Sequence, residues 1–525
     1  MPACFVLFGG YGSYNNSMKD KVIVNASIVT GLSVAERFLG FLYRIILSRL
    51  LGAEGLGLYQ IALSLFGLFA VVGSGGIPIT VSKMISKSKA EKDWQGERRA
   101  VSAGIVACLL FTLPFCLILG VFGGKFSFLF SDDRAFYVFR ILLLGLAFSS
   151  VYAVVRGYFW GNKQFLTPSV LEIAEESVMV IVGVLLLKNV PSPLTGAQKA
   201  AWAVVISYLF SFTASLICFF VKGGKLSKPQ GAVKPLLSSA LPITTVRASG
   251  SLVTSAVAIL LPVMLMRAGA DSSTAMKLFG IVSGMVLPVL FIPSTVIGSI
   301  ALVLVPELSE DYYRGNIKRL QINLERGLRF SFLVACVLIP FLYALGEDVG
   351  RLAFANATAG RMLQKSCLML LPMSITMIST SMLNAMGFEK QTFLFFFMGA
   401  AALLLCILLL PTFCGAYAYL IGLGVSYVVT AACNLVFLQK QKLLFQKGGV
   451  RDRNHALFIS LFAMLPFAAF GQTCNNLFKL FLGEITAVAA TAVVLSVLTL
   501  ILYVALGFIP LKKLRLHGKR KPKKA

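Results

Sequence analysis

Charged side chains are scarce in this sequence. Asp, Glu, Lys and Arg make up 13% of its 525 residues, against roughly 25% in a soluble domain. Hydrophobic residues account for 58%, and the mean hydropathy is +0.85. Apolar runs recur along the whole chain at the length of about 20 residues that crosses a bilayer core. This composition excludes a soluble globular protein.

Catalytic motifs are missing as well. The sequence has no GxSxG, no phosphate-binding loop and no HExxH, and it has only two histidines, His455 and His517. The ten cysteines are scattered without metal-ligand spacing. Two outer acidic pairs, Asp132-Asp133 and Glu347-Asp348, are interpreted as helix caps. We therefore expect neither an enzyme nor a resident metal or cofactor.

The apolar runs are continuous rather than alternating, which indicates helices and not barrel strands. The predicted fold is an all-α polytopic membrane protein with about fourteen transmembrane helices. The expected spans are 22–48, 56–82, 100–123, 136–160, 167–187, 198–221, 236–266, 278–305, 328–345, 364–386, 392–410, 416–438, 455–471 and 485–508.

Positive charge predicts the orientation of these spans. The segments that share a side with the N-terminus hold roughly three times as many Lys and Arg as the opposite segments, which predicts cytoplasmic termini. The basic end of the chain, KKLRLHGKRKPKKA, is then a membrane-surface anchor rather than a nucleic-acid site. The segments SKSKAEKDWQGERRA and PELSEDYYRGNIKRLQINLERG are predicted to be short surface helices. Residues 1–17 lack the positively charged start of a signal peptide, so we expect either that Met18 is the natural first residue or that residues 1–17 are a disordered extension.

An internal repeat predicts the domain organisation. Residues 49–86 resemble residues 266–309, each with a Gly-Ala turn followed by a Gly-rich helix and an Ile-Pro step. Six helices per unit give a parallel repeat, and such repeats form two lobes that rock against each other. The predicted parts are an N-terminal extension (1–21), an N-lobe (22–221), a cytoplasmic linker (222–235), a C-lobe (236–438), two further helices (439–508) and a basic tail (509–525).

Arginines inside predicted spans require an explanation, because placing each charged side chain in hydrocarbon costs at least about 2.5 kcal/mol. Helix one carries Arg37 and Arg44 two turns apart on one face. A guanidinium fork suits phosphate, which predicts a cationic cavity for a diphosphate. The alternatives are an ion pair with Glu36, or snorkelling. The expected cavity residues are Arg37, Arg44, Arg247 of helix seven, Thr30 and Ser33.

Acids also fall inside predicted spans. Glu172, Glu175 and Glu176 share the inner half of helix five. Together with Glu36 they are expected either to bind a coupling ion or proton, or to pair structurally with Arg156. Arg140 and Arg156 lie near the two ends of helix four, where snorkelling accounts for them.

Several stretches resemble a known family. AERFLGFLYR (35–44), SRLLGAEGLGLYQIA and GIPITVSKMIS resemble the start of the stage V sporulation protein B family, in the polysaccharide exporter branch of the MOP (MATE-like) superfamily. That family is similar to the lipid II flippases (MurJ). The resemblance implies two six-helix lobes with a central cavity, plus two C-terminal helices that form a groove for a lipid tail.

The resemblance also implies a function: flipping undecaprenyl-diphosphate-linked saccharide across the bacterial plasma membrane for peptidoglycan, or for spore cortex. Expected partners are that substrate, membrane lipids and cell-wall synthesis enzymes, and the expected state is a monomer. Arg37 matches the first of the family's helix-one arginines through Arg37-Phe-Leu-Gly40-Phe41. The second position falls on Tyr43, next to Arg44. The family's cavity arginine on helix two has no counterpart here, and Gln60 is the nearest polar residue. The sodium-site acids have no clear match, so sodium, a proton or the membrane potential stays open as the driving force.

Three other functions remain in competition. A multidrug or cation antiporter of the same superfamily would need cavity acids, whereas the predicted cavity charges are mainly arginines. A membrane glycan polymerase or ligase would need an outer catalytic acid or base in a larger loop. A scaffold without transport activity would leave the intramembrane arginines unexplained.

The predicted topology is tested by reporter fusions. Green fluorescent protein fused after Ala525 is expected to fluoresce, and alkaline phosphatase at the same point is expected to be inactive, because the tail is cytoplasmic. Fusions after Asn189, in a predicted outer segment, should give the opposite pair of results. Active phosphatase at Ala525 would contradict the orientation.

Overall fold

The computed structural model describes residues 16–121, 130–444 and 451–506. Over these residues the regular structure is helical throughout, with no strand. The all-α polytopic fold predicted from the sequence is confirmed. Residues 1–15 of the expected extension and the basic tail at 509–525 lie outside the described residues.

The first half of the chain forms seven helices, most of them longer than a bilayer core requires. They are α1 (Asn16–Ser74), α2 (Ile77–Ala90), α3 (Trp94–Val121), α4 (Asp133–Gly161), α5 (Leu166–Leu186), α6 (Pro193–Val221) and α7 (Val233–Arg267). Gly52 bends α1 with a φ of +67°, a backbone conformation that glycine adopts without a steric penalty. This bend separates the first two predicted spans.

The second half holds several interrupted helices. They are α8 (Ser272–Gly280), a π-helical segment (Ile281–Val286), α9 (Leu287–Leu290), α10 (Ile292–Tyr313), α11 (Ile317–Phe354), α12 (Ala357–Ser366), a 3₁₀ turn (Cys367–Met369), α13 (Leu370–Ala385), α14 (Glu389–Leu409), α15 (Pro411–Cys414), α16 (Tyr417–Lys440), α17 (Arg451–Phe481) and α18 (Glu484–Ala505).

Twelve helices in the described part of the chain are long and apolar enough to cross a membrane. One of them, Ile28–Ala90, contains two predicted spans, whereas Ser272–Leu290 and Ile292–Tyr313 divide the single span predicted at 278–305. The spans predicted at 167–187 and 455–471 correspond to α5 and α17, which are outside the twelve. The count of fourteen therefore stays a prediction.

The two predicted surface helices are wrong. In the first segment α2 continues to Ala90 and α3 begins at Trp94, and in the second α10 continues to Tyr313 and α11 begins at Ile317. Each segment consists of the ends of two long helices and a short turn. The charged residues of these segments lie at the ends of helices, and charge by itself does not mark a separate helix.

Contacts divide the chain into two compact units. The first contains residues up to Ile46 and Ala62–Leu252, and the second contains Leu47–Ile61 and Val253–Ala525. The first unit therefore includes the beginning of α7, beyond the lobe boundary expected from the sequence. Its core is formed by α2, α3, α4, the end of α6 and the start of α7, with Phe159 and Val154 among the fully buried side chains.

The second unit is built around α11. One buried cluster joins α10, α11 and α13 through Leu304, Leu324 and Met382. A smaller one joins α11 to α18 through Leu345 and Leu495.

Asp348 is buried inside α11 and corrects one expectation. It accepts hydrogen bonds from Asn475 and Lys479 of α17, and from Nη2 of Arg351 at 2.7 Å. A buried carboxylate requires such donors. Asp348 is therefore an interhelical anchor and not the helix cap predicted from the sequence. Asp132, by contrast, does cap α4, because its side chain accepts from the backbone N–H of Arg134 at 2.9 Å.

Two glycines allow a close helix crossing within the second unit. A Cβ placed on Gly57 would overlap the carbonyl oxygen of Met276, and one on Gly280 would overlap that of Ala53. Only residues without a side chain let two backbones approach so closely. Ser273 also donates to a carboxylate oxygen of Glu54 at 2.8 Å, which fixes the same crossing.

Substitution at this crossing is expected to destabilise the protein. Gly280→Ala inserts a methyl group where no space exists, which costs about 1–3 kcal/mol through overpacking and should lower the thermal unfolding midpoint in detergent. Gly298→Ala is the matched control, since an added Cβ there meets nothing within 4 Å. Equal midpoints for the two variants would contradict the close crossing.

Candidate functional site

Helix α1 presents two different faces within the first unit. Gly40 and Tyr43 pack against α5, where a Cβ on Gly40 would lie 2.9 Å from Oε1 of Glu176 and the Tyr43 ring lies against Gly183. Arg37 and Arg44 lie three residues before and four residues after Gly40, so their face adjoins the packed one, and both side chains are exposed.

The exposed face is a polar stripe in an otherwise apolar helix. Thr30 is exposed beside Arg37 and Arg44, and Ser33 is half-buried. An arginine in a membrane span faces a water-filled cavity or a partner, since lipid contact is too costly. Four of the five predicted cavity residues therefore lie where a cavity-facing role requires them, although that role itself stays a prediction.

Arg156 of α4 is paired rather than snorkelling. Its Nη1 lies 3.0 Å from Oε1 of Glu172, and the two side chains are only 29% and 22% exposed. The guanidinium also stacks over the Trp160 ring at 5.1 Å, a favourable cation–π position. This contact agrees with the structural alternative for Glu172.

The other predicted acids surround this pair. Glu36 interacts electrostatically with Glu172, Arg156 and Arg37, and Glu176 with Glu36 and Arg44. The structure therefore brings the four glutamates of the prediction together with three arginines on α1 and α4. We call the seven residues the mixed-charge cluster: Glu36, Arg37, Arg44, Arg156, Glu172, Glu175 and Glu176.

Glu175 lies on the packed side of this cluster. One of its carboxylate oxygens is buried without a hydrogen-bond partner among the described residues, and the fully buried Ser211 of α6 lies within hydrogen-bonding reach of the carboxyl group. Such a carboxyl is costly to keep charged.

In the part of the chain that the structure describes, no group of three or more His, Cys, Asp or Glu residues could hold a metal ion.

Arg247 of α7 binds backbone. Its Nη1 donates to the carbonyl oxygen of Gly75 at 2.9 Å, and Thr244, one turn earlier, accepts from the N–H of Gly76 at 3.0 Å. These two residues satisfy the backbone groups left open where α1 ends and α2 begins. The predicted convergence of Arg247 with Arg37 and Arg44 on one cavity stays a prediction.

Sequence reasoning missed these two hydrogen bonds at the break between α1 and α2. The partners are 172 and 168 residues apart, so no local pattern announces them. A usable signal was present in Gly75-Gly76-Ile77-Pro78, because a Gly-Gly-x-Pro step inside an apolar run leaves backbone groups that another element must satisfy.

Two solved structures share this fold. The lipid II flippase MurJ in an inward closed conformation gives a TM-score of 0.69 at 16% identity, covering 91% of this chain and 99% of that chain. An inward-facing multidrug resistance MATE family transporter of the MOP superfamily gives 0.64 at 15% identity, covering 77% and 94%. The class is thereby defined: a polytopic membrane protein with the fold of MOP superfamily transporters.

The family follows from sequence comparison. Residues 22–311 match the model of the polysaccharide biosynthesis protein family, and the chain belongs to that family. The stage V sporulation protein B of Bacillus subtilis (strain 168) is 25% identical over 363 residues, 65% of this chain and 68% of the relative. The lipid II flippase MurJ of the same organism is 28% identical over 173 residues, 31% of this chain and 32% of the relative. The family predicted from the sequence motifs is confirmed.

The ion pair between Arg156 and Glu172 is expected to stabilise the first unit. Arg156→Gln leaves Glu172 half-buried without its cation and should lower the free energy of unfolding by about 1–3 kcal/mol. The double variant Arg156→Gln/Glu172→Gln should recover most of that loss, as measured by thermal unfolding in detergent.

The exposed pair of Arg314 with Glu310 supplies the control. Arg314→Gln should change stability by less than about 1 kcal/mol, because surface ion pairs contribute little. A double variant at positions 156 and 172 that is no more stable than Arg156→Gln alone would contradict the pairing.

Proposed function

We propose that this protein flips an undecaprenyl-diphosphate-linked saccharide, lipid II or a related cell-wall or polysaccharide precursor, from the inner to the outer leaflet. The observation that carries the proposal is the exposed pair of arginines, Arg37 and Arg44, on a membrane-spanning helix. Guanidinium groups on such a helix favour a wet cavity or an anionic ligand. A diphosphate supplies the matching charge and accepts bidentate hydrogen bonds.

The relatives support the same substrate class. The chain belongs to the polysaccharide biosynthesis protein family, and a relative with 28% identity over 173 residues is named as a lipid II flippase. In our proposal Arg37 and Arg44 contact the diphosphate and not the saccharide. The sugar is therefore not specified by Arg37 and Arg44.

Movement is proposed to follow alternating access between two lobes, with the chain acting as a monomer in the bacterial plasma membrane and both termini cytoplasmic. Cell-wall synthesis enzymes are the proposed partners, since they consume the flipped product. We propose a transporter and not an enzyme. The driving force is a proton, a sodium ion or the membrane potential.

The mixed-charge cluster offers a route for coupling. Glu176 lies within electrostatic range of both Arg44 and Glu36, so the positive charge of Arg44 favours the carboxylate form of Glu176 when no substrate is bound. A diphosphate that takes over Arg44 removes that compensation and favours protonation of Glu176. Substrate binding and proton uptake are then linked, and the linkage is reciprocal.

A multidrug or cation antiporter is the second candidate. The intramembrane glutamates favour it, because cation extrusion requires acids, and the MATE transporter with a TM-score of 0.64 has the same fold. The two candidates differ in which charges contact the substrate. The flippase uses Arg37 and Arg44, whereas the antiporter uses Glu36 and Glu175.

Arg37 is expected to be required for transport. In a strain that depends on this protein, Arg37→Ala should reduce lipid-linked precursor at the outer leaflet by at least about tenfold, the effect of losing one charge-assisted hydrogen bond. Arg37→Lys should retain part of the activity, since it keeps the charge but loses the planar fork. The measurement is labelling of precursor exposed on intact cells.

Arg314→Ala is the control, because Arg314 is exposed and pairs only with Glu310 among the described residues. It should expose precursor at the wild-type level. Unchanged exposure in Arg37→Ala with normal expression would contradict the role of Arg37. Depletion of the protein should accumulate a lipid-linked glycan in the inner leaflet, whereas altered drug resistance without such accumulation would favour the antiporter.

A further inference from the structure

A lateral groove of about 600 Å³ lies between α3 and α4 of the first unit. Ligand pockets usually have volumes of about 300–1,000 Å³, so the groove is large enough for part of a lipid. One wall is a single face of α3, with Leu113, Cys116 and Gly120 at intervals of three and four residues. This groove is separate from the mixed-charge cluster and from the residues of the proposed function.

The sequence leaves this space open. Gly120 has nothing within 4 Å of the position of a Cβ, and Leu113 is 45% exposed beside Pro114. The floor is closed by a contact in which Sγ of Cys116 donates to the carbonyl oxygen of Leu143 at 3.3 Å. The groove is therefore a feature of the helix pair, with an apolar bottom and an open side.

The other wall is one face of α4 and carries a charge. Tyr137, Arg140, Leu144 and Ala147 recur at helical spacing, so a polar end and an apolar end share the same face. Gln198 of α6 adds an amide to the lining. Since α4 begins at Asp133, Arg140 lies about 10 Å along the helix from that end.

Arg140 is exposed and, within the described residues, makes no ion pair or hydrogen bond. A guanidinium inside a spanning helix calls for an anion or water. Arg134, on the same helix, has such an anion, because its Nη2 lies 2.8 Å from Oδ2 of Asp132. Among the described residues Arg140 has no corresponding carboxylate, and the wall beside it is apolar.

We propose that this groove binds one anionic membrane phospholipid from the leaflet at the Asp133 end of α4. The phosphate pairs with the Arg140 guanidinium, with Tyr137 and Gln198 as further hydrogen-bonding groups, and an acyl chain lies along Leu113, Leu144 and Ala147. One cation matches the single charge of a phosphodiester. The apolar wall matches a hydrocarbon chain, which a free anion lacks.

The test is native mass spectrometry of the delipidated full-length protein in detergent. Phosphatidylglycerol, a diacylglycerol with the same chains, and inorganic phosphate are the three probes. The wild type should bind the first phosphatidylglycerol with an affinity at least about tenfold above that of diacylglycerol, the effect of one charge-assisted pair. Arg140→Gln should lose that difference.

Lys199→Gln is the matched control, because Lys199 neighbours Gln198 and donates to the carbonyl oxygen of Asn189 instead of lining the groove. It should bind phosphatidylglycerol like the wild type. Gly120→Leu places a side chain in the groove and should also abolish binding of the first phosphatidylglycerol. This variant tests the space in the groove, whereas Arg140→Gln tests its charge. Size-exclusion profiles and unfolding midpoints identify any variant that fails to fold.

Three outcomes would overturn the proposal. The first is equal phosphatidylglycerol binding by the wild type and Arg140→Gln, and the second is an equal loss in Lys199→Gln. The third is Arg140-dependent binding of inorganic phosphate as tight as that of phosphatidylglycerol, which would identify a free-anion site. None of these depends on transport, so failure of the proposed flippase function is distinguishable from failure of this site.

Discussion

A charge placed in hydrocarbon must face water or be neutralised, and this constraint accounts for the arrangement of arginines in the first unit. Arg156 is neutralised by Glu172 at 3.0 Å. Arg247 is bound by a backbone carbonyl at 2.9 Å. Arg37 and Arg44 are exposed on α1, within electrostatic range of Glu36 and Glu176. The same residue type therefore makes packed contacts in two places and lies on an exposed face in a third.

The second constraint is that backbone hydrogen bonds must be completed inside the membrane. Long helices complete these hydrogen bonds within themselves, whereas the break between α1 and α2 at Gly75-Gly76 needs partners from another helix. Thr244 and Arg247 of α7 supply the missing partners. Asp348 of the second unit meets a different requirement, because its buried carboxylate accepts hydrogen bonds from the side chains of Asn475 and Lys479 of α17. A few polar residues thus fix the positions of neighbouring helices along each other, which apolar surfaces alone specify less strictly.

Sequence reasoning succeeded where the information is local. Hydropathy predicted the all-α membrane fold, which the structure confirms, and helical spacing placed Arg37 and Arg44 on one face of α1. It failed where a partner is distant in sequence. Asp348 looked like a helix cap because its nearest visible features were local, whereas its donors stand 127 and 131 residues away. The two surface helices were mispredicted because charge density does not distinguish a separate helix from the ends of two long ones.

The position of Glu176 ties the functional and structural charges together. It lies against Gly40 of α1, and it interacts electrostatically with Arg44 and Glu36 of that helix. A ligand that competes for Arg44 therefore changes the electrostatic balance of these acids. In the proposed flippase, anion binding at Arg44 is linked to protonation of the Glu176 carboxyl group. Because such coupling is reciprocal, the proposal requires that protonation of Glu176 change the affinity for the diphosphate by the same factor as the diphosphate changes the affinity for the proton.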